Sequence, residues 1–301
     1  MNNSNNSSAI LVAGATGYLG SEICRQLIEK NKKVKALVRA TSDVNKVAQL
    51  KALGIETVEG DLKDKDSLKN ALRGVSAVIS TVSSTLSRQE GDSIQTVDDE
   101  GQNNLIDAAI GAGVSQFVFI SFCVMPGEFP LQTAKRKAEK HLSESGLNFT
   151  ILQPTYFMEV WLSPALGFDY PNAKATIYGE GKSRISWIAI KDVASFAVAS
   201  LDNPAARNKI IELGGPAALS PLEVVNIFEV NNGKKFELQF VPAEAMKAQR
   251  DGTEDPLGKS FAALMLGVAD GSEINMKNTI DVFSIQLTSV NDYANKTNVY
   301  A

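Results

Sequence analysis

The chain is poor in the residues that staple folds or build metal sites: its 301 residues include two cysteines and one histidine. Cys24 and Cys123 are too few for a disulfide framework, and a reducing compartment suits them. With His141 alone, neither a zinc site nor a serine–histidine–aspartate triad can be assembled, so no metal is expected. No apolar run approaches the roughly 18 residues that span a bilayer. There is no basic excess either: the formal net charge of −4 argues against a nucleic-acid partner. Residues 1–8 are almost all Asn and Ser and lack the basic and apolar stretches of a signal peptide, so they read as a disordered leader. These absences point to a cytoplasmic protein.

What is present is a rhythm. Ala9–Ala13 is a short apolar run, and residues 18–30 carry Leu19, Ile23, Leu27 and Ile28 at helical spacing. Strands are expected at 34–38, 55–59, 75–81, 117–120 and 149–152. Helices are expected at 44–53, 67–72, 97–112 and 135–145. Strands alternating with helices mean right-handed βαβ units, and continuous apolar strands mean a parallel sheet covered on both faces. The fold class is therefore α/β, a Rossmann-type doubly wound sheet over residues 9–155. A smaller substrate- or partner-binding part, 156–301, is interleaved with it. In that part the pattern suggests a strand at 184–190, a helix at 192–201, a strand at 209–213 and a helix at 221–230 behind a Ser220/Glu223 capping box. A strand at 236–241 follows, then helical and irregular chain to 301.

Gly14-Ala15-Thr16-Gly17-Tyr18-Leu19-Gly20 joins the first strand to the first helix. Gly14 permits the tight turn, Gly17 lets backbone approach a pyrophosphate, and Gly20 allows close helix–strand packing. The helix N-terminus presents free N–H groups and a positive dipole end to phosphate.

The GxxGxxG spacing resembles the atypical short-chain dehydrogenase/reductase superfamily, in its NmrA-like and isoflavone-reductase-like branch. Gly60-Asp61-Leu62, Lys135, the segment 145–154 and Lys191-Asp192-Val193-Ala194 resemble further motifs of that branch. The resemblance implies an NAD(P)-binding protein in which Asp61 and Leu62 flank the adenine. Thr81, Val82 and Ser83 would then line the cofactor channel, with Pro154 and Phe157 bordering it further along. The second strand ends in Arg39, followed by Thr41 and Ser42, where NAD-specific sites place an acid. A guanidinium clamps a 2′-phosphate, so NADP is the expected cofactor; Asp43 is a mild counter-signal.

The superfamily's usual Tyr-x-x-x-Lys pair is broken here, because Leu131 stands where the Tyr is expected, four residues before Lys135. A leucine transfers no proton, so catalysis would fall to Lys135, through ribose contact or as a general acid. Tyr156 is a possible substitute hydroxyl. Cys123 reads as a packing residue, and Asp98-Asp99-Glu100 as acids that suit a helix N-terminus. Phe157, Met158, Trp161, Leu162, Phe168 and Tyr170 would wall a pocket for an apolar or aromatic small molecule, or be core. Residues 246–275 would form a lid. The expected function is an NADP(H)-dependent oxidoreductase that moves a hydride to a quinone- or enone-type acceptor. The alternative is a non-catalytic NADP(H)-sensing regulator or assembly factor with a protein partner.

Overall fold

The computed structural model describes residues 8–86 and 88–297; residues 1–7 of the expected leader lie outside them. In chain order the first elements are β1 (Ala9–Ala13), α1 (Tyr18–Glu29), β2 (Val34–Val38), α2 (Val44–Ala52), β3 (Glu56–Glu59), α3 (Lys65–Ala71) and β4 (Val75–Ser80). A π-helical turn (Ile94–Asp99) leads into α4 (Glu100–Gly111), then β5 (Gln116–Ile120), α5 (Pro130–Glu144) and β6 (Asn148–Pro154). Next come α6 (Met158–Trp161), β7 (Phe168–Asp169), β8 (Lys174–Tyr178), α7 (Ile190–Ser200), β9 (Lys209–Leu213) and α8 (Pro221–Asn232). The chain continues through β10 (Glu237–Val241), α9 (Ala243–Gly252), α10 (Pro256–Asp270), α11 (Lys277–Phe283) and α12 (Val290–Thr297).

The main sheet has seven strands in the order β3-β2-β1-β4-β5-β6-β9, and its first six pair in parallel. The order 3-2-1-4-5-6 is that of a dinucleotide-binding doubly wound sheet. β1 is buried at every residue, as a sheet covered on both faces requires. A second sheet holds β10-β8-β7, with β10 parallel and β7 antiparallel to β8.

The chain forms two compact units. The first comprises residues 1–121, 134–152 and 194–211; the second comprises 122–133, 153–193 and 212–301. In the first, Leu11, Val78, Phe117 and Ile151 from the strands pack with Leu68, Leu105, Ile106 and Leu142 from the helices. In the second, Phe228 of α8 gathers Phe168 at 4.9 Å, Tyr170 at 5.9 Å and Tyr293 at 6.3 Å between ring centroids. α8 starts on the expected Ser220/Glu223 capping box and stops at Gly233, in the left-handed conformation.

Two local expectations need correction. Residues 184–190 do not form a strand: 185–189 are buried, but Ile190 already begins α7, and Ile185 N–H donates to the Leu219 carbonyl, Ser186 to Ser272 and Ile188 to Tyr156, so the partners are scattered. Residues 246–275 are no loose flap. α10 buries Ala262, Leu266 and Val268, and a Cβ on Gly267 would meet Met125 Cε at 2.0 Å. Among the described residues no helix is long and apolar enough to cross a membrane.

Candidate functional site: the strand ends of the first unit

Gly14 adopts φ +82°, and a Cβ there would lie 2.5 Å from Thr81 Oγ1. Thr81 is fixed beside it, its N–H donating to the Ala13 carbonyl at 3.0 Å and its hydroxyl at 3.1 Å. At Gly20 a Cβ would sit 2.1 Å from the Gly14 carbonyl oxygen, so the helix can only close onto the turn with no side chain there. Gly17 is the N-cap of α1. It brings no side-chain cap, and the first turn of α1 has no acid. α2, α3 and α10 are each capped by an aspartate. The α1 terminus thus keeps its dipole and amides for an outside anion. Thr16 is half-buried, and Tyr18 is exposed beside this terminus, with the Lys46 ammonium 5.9 Å from its ring. Leu19 begins the helix and is half-buried.

At the end of β2, Arg39 pairs with Asp92 at 2.6 Å through Nη1. Its own N–H is held by the Ser42 hydroxyl at 2.9 Å. Thr41 is tied to Gln89 by a side-chain hydrogen bond, and Gln89 Nε2 donates to the Thr41 carbonyl. Asp43, the acid just after this strand end in sequence, spends its carboxylate on capping α2 through the Asn45 and Lys46 N–H groups. At the end of β3, Asp61 accepts the Lys63 N–H at 2.9 Å in an Asx-type turn, while Leu62 is buried in the core.

Lys135 is the buried cation of this unit. Its ammonium donates to the Val82 carbonyl at 2.9 Å, lies 3.2 Å from Asp98 Oδ1, and sits 5.1 Å from the centre of the Phe119 ring. The Lys135 side chain is 5% exposed and that of Asp98 0%. Asp98 Oδ1 receives no well-aligned hydrogen bond, so charge attraction makes that contact. Asp98 Oδ2 accepts the Ser84 N–H at 2.9 Å and its hydroxyl at 2.6 Å. Ser83 exchanges a hydrogen bond with Thr85. An ammonium has three N–H donors. Only the contact with Val82 is a hydrogen bond, the one with Asp98 being a charge pair, so donor capacity is left over for a ligand. At the end of β5, Ser121 Oγ is buried with no hydrogen-bond partner among the described residues, a vacancy that a polar ligand or water would fill.

Asp98 is the residue that sequence reasoning missed. Read as one of three acids at a helix start, it is instead a buried counter-ion. The signal was present: Asp98, Gln102, Leu105 and Ala109 recur at i, i+4, i+7 and i+11, one helical stripe, and all four are buried. An acid on an apolar stripe needs a partner. The π-helical turn that ends at Asp99 is the kind of irregularity found at functional sites. Asp99 itself pairs with Lys137 at 2.8 Å.

Pro154 and Phe157 belong to the second unit, where Pro154 is buried and Phe157 half-buried. Tyr156, the possible substitute hydroxyl, lies in the same unit. It is 4% exposed, its hydroxyl donates to the Leu264 carbonyl at 3.1 Å, and burial pushes its phenol well above the ordinary value of 10. Its ring meets Trp161 edge-on at 5.0 Å. Met158 is a core residue, while Leu162 and Phe168, though buried, line a small cleft together with Trp161, Tyr178 and Trp187. Leu131 is buried, with its N–H on Ser260 Oγ. Cys123 is also buried, 3.7 Å from Ser272 Oγ. His141 is a surface residue that meets Asp107 at 2.7 Å.

The sheet order and the glycine turn define a Rossmann-type, NAD(P)-binding class of fold. Within it, the chain belongs to the NmrA-like family, whose model matches residues 6–294. It is similar to the NAD(P)H azoreductase of Xenophilus azovorans, 33% identical over 249 residues that cover 82% of each chain. It is also similar to the photosystem II assembly factor Ycf39 of Synechocystis, 32% identical over 247 residues, 81% of this chain and 74% of that protein. The crystal structure of an NADPH-dependent quinone oxidoreductase from Escherichia coli, complexed with NADPH, shares the fold. The TM-score is 0.78 at 23% identity, covering 97% of this chain and 100% of that one.

Proposed function

We propose that this protein is an NADP(H)-dependent oxidoreductase that reduces a small apolar or aromatic acceptor of quinone or enone type. The observation that carries the reading is Lys135: a buried ammonium, hydrogen-bonded to Val82 and paired with the charge of Asp98, with an N–H left over for a ligand. A dinucleotide fits the residues present. Gly14, Thr16, Gly17, Tyr18, Leu19 and Gly20 would take the pyrophosphate and Arg39 the 2′-phosphate. Asp61 and Leu62 would border the adenine, and Thr81, Val82 and Ser83 the channel. When bound, the cofactor supplies the hydride.

The chain's residues supply the rest. The uncapped α1 terminus neutralises phosphate charge. Lys135 donates its free N–H to a ribose hydroxyl and provides the proton that an acceptor needs after gaining a hydride. Asp98 fixes where that N–H points. The azoreductase relative, which by name acts with NAD(P)H, supports a reductive reading. A cytoplasmic setting is part of it, since a chain with two cysteines suits a reducing compartment.

A second reading, an NADP(H)-binding regulator or assembly factor that acts on a protein partner, is favoured by one observation. Leu131, where a catalytic tyrosine is expected, is 4% exposed and carries no titratable group. The Ycf39 relative is an assembly factor by name. Single-turnover oxidation of bound NADPH against quinones and enones separates the two. Oxidation by wild type that falls about 100-fold or more in Lys135→Met, with NADPH still bound, supports the reductase. Tight NADPH binding with no oxidation by any acceptor supports the regulator.

A further inference from the structure

Two cations from different strand ends converge on one carboxylate. Arg39 Nη1 lies 2.6 Å from Asp92 Oδ2, and Lys63 Nζ lies 2.6 Å from Asp92 Oδ1. The Gln89 N–H adds a third donor, to Oδ2 at 3.0 Å. The Asp92 side chain is 2% exposed, while those of Arg39 and Lys63 are 27% and 29% exposed. The carboxylate is thus enclosed by donors that themselves face outward. Burial alone would raise the Asp92 carboxyl, but hydrogen bonds from Lys63 and Arg39 take it below its usual range, so it stays an anion. The loop that delivers it turns at Gly91, φ +78°, and is tied to the end of β2 by polar contacts, Asp92 to Arg39 and Gln89 to Thr41.

We propose that Arg39 and Lys63 together form the seat of the cofactor's 2′-phosphate, and that Asp92 is a built-in competitor that NADP(H), but not NAD(H), displaces. The inference rests on the reading that Arg39 receives that phosphate. The chemistry is exchange of one anion for another. A guanidinium and an ammonium that share two oxygens of a carboxylate can share two oxygens of a phosphate monoester in the same way. A ribose 2′-hydroxyl carries no charge to compete with Asp92, so NAD(H) leaves the strap closed. The phosphate, with up to two negative charges, outbids a single carboxylate and frees the loop. Lys63, which follows the Asp61-Leu62 pair, then becomes a residue that decides cofactor choice, and Asp92 sets how much of the phosphate's binding energy is realised.

The test is calorimetric titration of the full chain with NADPH and NADH, and with 2′,5′-ADP against 5′-ADP. Wild type, Asp92→Asn, Lys63→Met and Arg39→Gln are compared. Asp92→Asn is expected to tighten NADPH and 2′,5′-ADP on the order of five- to tenfold, about what two partly exposed ion pairs are worth together, with NADH and 5′-ADP unchanged. Lys63→Met is expected to weaken the two 2′-phosphorylated ligands by a similar factor and to leave the others alone. The inference is overturned if Asp92→Asn leaves NADPH unchanged or loosens it, or if Lys63→Met alters NADPH and NADH alike. Arg39→Gln separates this failure from that of the underlying reading. If Arg39→Gln leaves the NADPH/NADH preference intact, the 2′-phosphate is not bound at this strand end at all. If Arg39→Gln abolishes the preference while Asp92→Asn and Lys63→Met do nothing, only the present inference falls.

Discussion

Removing either partner of the Lys135–Asp98 pair should cost far more than removing both. The Lys135 side chain is 5% exposed and that of Asp98 0%, so a single deletion strands a charge where water cannot reach it. Such stranding costs about 3–5 kcal/mol, whereas replacing a buried pair with apolar residues of similar volume is often neutral or stabilising. Asp98→Leu and Lys135→Met should therefore each lower stability by about 3–5 kcal/mol, and the double variant by less than either, since only the Ser84 donors, about 1.5–3 kcal/mol, are then left unmet. Asp98→Leu also strands the Ser84 N–H and hydroxyl, which donate to Oδ2 at 2.9 and 2.6 Å. Lost hydrogen bonds to a charged group cost about 1.5–3 kcal/mol, so Asp98→Leu should be the worse of the two single variants. Urea unfolding of wild type, both single variants and the double variant closes the cycle. A coupling energy of several kcal/mol in favour of the double variant is expected. Stability and function should then part company: the double variant regains the fold but not NADPH oxidation. The reasoning is refuted if each single variant costs less than about 1 kcal/mol and the two costs simply add, for then the pair is not an isolated buried ion pair. It also fails if the double variant oxidises NADPH at the wild-type rate, since an ammonium at this position would then have no part in the reaction.

Other expectations follow from single contacts. Gly14→Ala forces a φ of +82° on alanine and a Cβ 2.5 Å from Thr81 Oγ1. Left-handed backbone alone costs about 1–2 kcal/mol, so weaker NADPH binding and a lower Tm are expected, and Thr81→Ala should relieve only the steric share. Tyr156→Phe leaves the Leu264 carbonyl without its donor and should cost about 1 kcal/mol in unfolding with NADPH oxidation unchanged; a collapse of oxidation would restore Tyr156 as a proton donor. Burial raises the Glu159 carboxyl above its ordinary 4.5, against a hydrogen bond from the Ile190 N–H, and Asp192 is raised for the same reason. A raised carboxyl gives stability that is complete below its unfolded value and is lost as pH rises through the folded value. The Tm should accordingly fall as pH climbs from about 4.5 toward neutrality, and Glu159→Gln should flatten that slope. A Tm that rises across that interval by the same amount in both proteins would remove Glu159 from the account.

The parts of the fold that were legible in the sequence share one property: their cause is local. Ala9–Ala13 is buried at every position, so its apolar run announces a covered parallel strand. Gly20 is a glycine because a Cβ would collide with Gly14 and Ala15 inside the same strand–turn–helix unit, and Gly14 turns the chain at φ +82°, so the pattern survives in seven residues. What the sequence hid depends on partners far along the chain. Residues 185–189 have the burial of a strand, but their N–H groups find carbonyls at 156, 219 and 272, so the hydrogen bonds never line up into a ladder. β8 is a true strand, yet its parallel partner β10 begins about sixty residues later. Arg39 looked like a cation waiting for phosphate because Asp92, 53 positions on, cannot be assigned to it from spacing.

Asp98 falls between these two groups. Its place on the Gln102–Leu105–Ala109 stripe is local and was readable. Its partner Lys135 is not, being carried to it by β5 and α5. A charged residue in phase with buried positions is thus a local signal of a distant counter-ion. The converse holds for Lys135, which sits in the run Lys135-Arg136-Lys137 but points inward while Lys137 reaches outward to Asp99 with 57% of its side chain exposed. Neighbouring charges on one helix can serve opposite ends, and only helical phase separates the buried, chemically committed lysine from the solvated one.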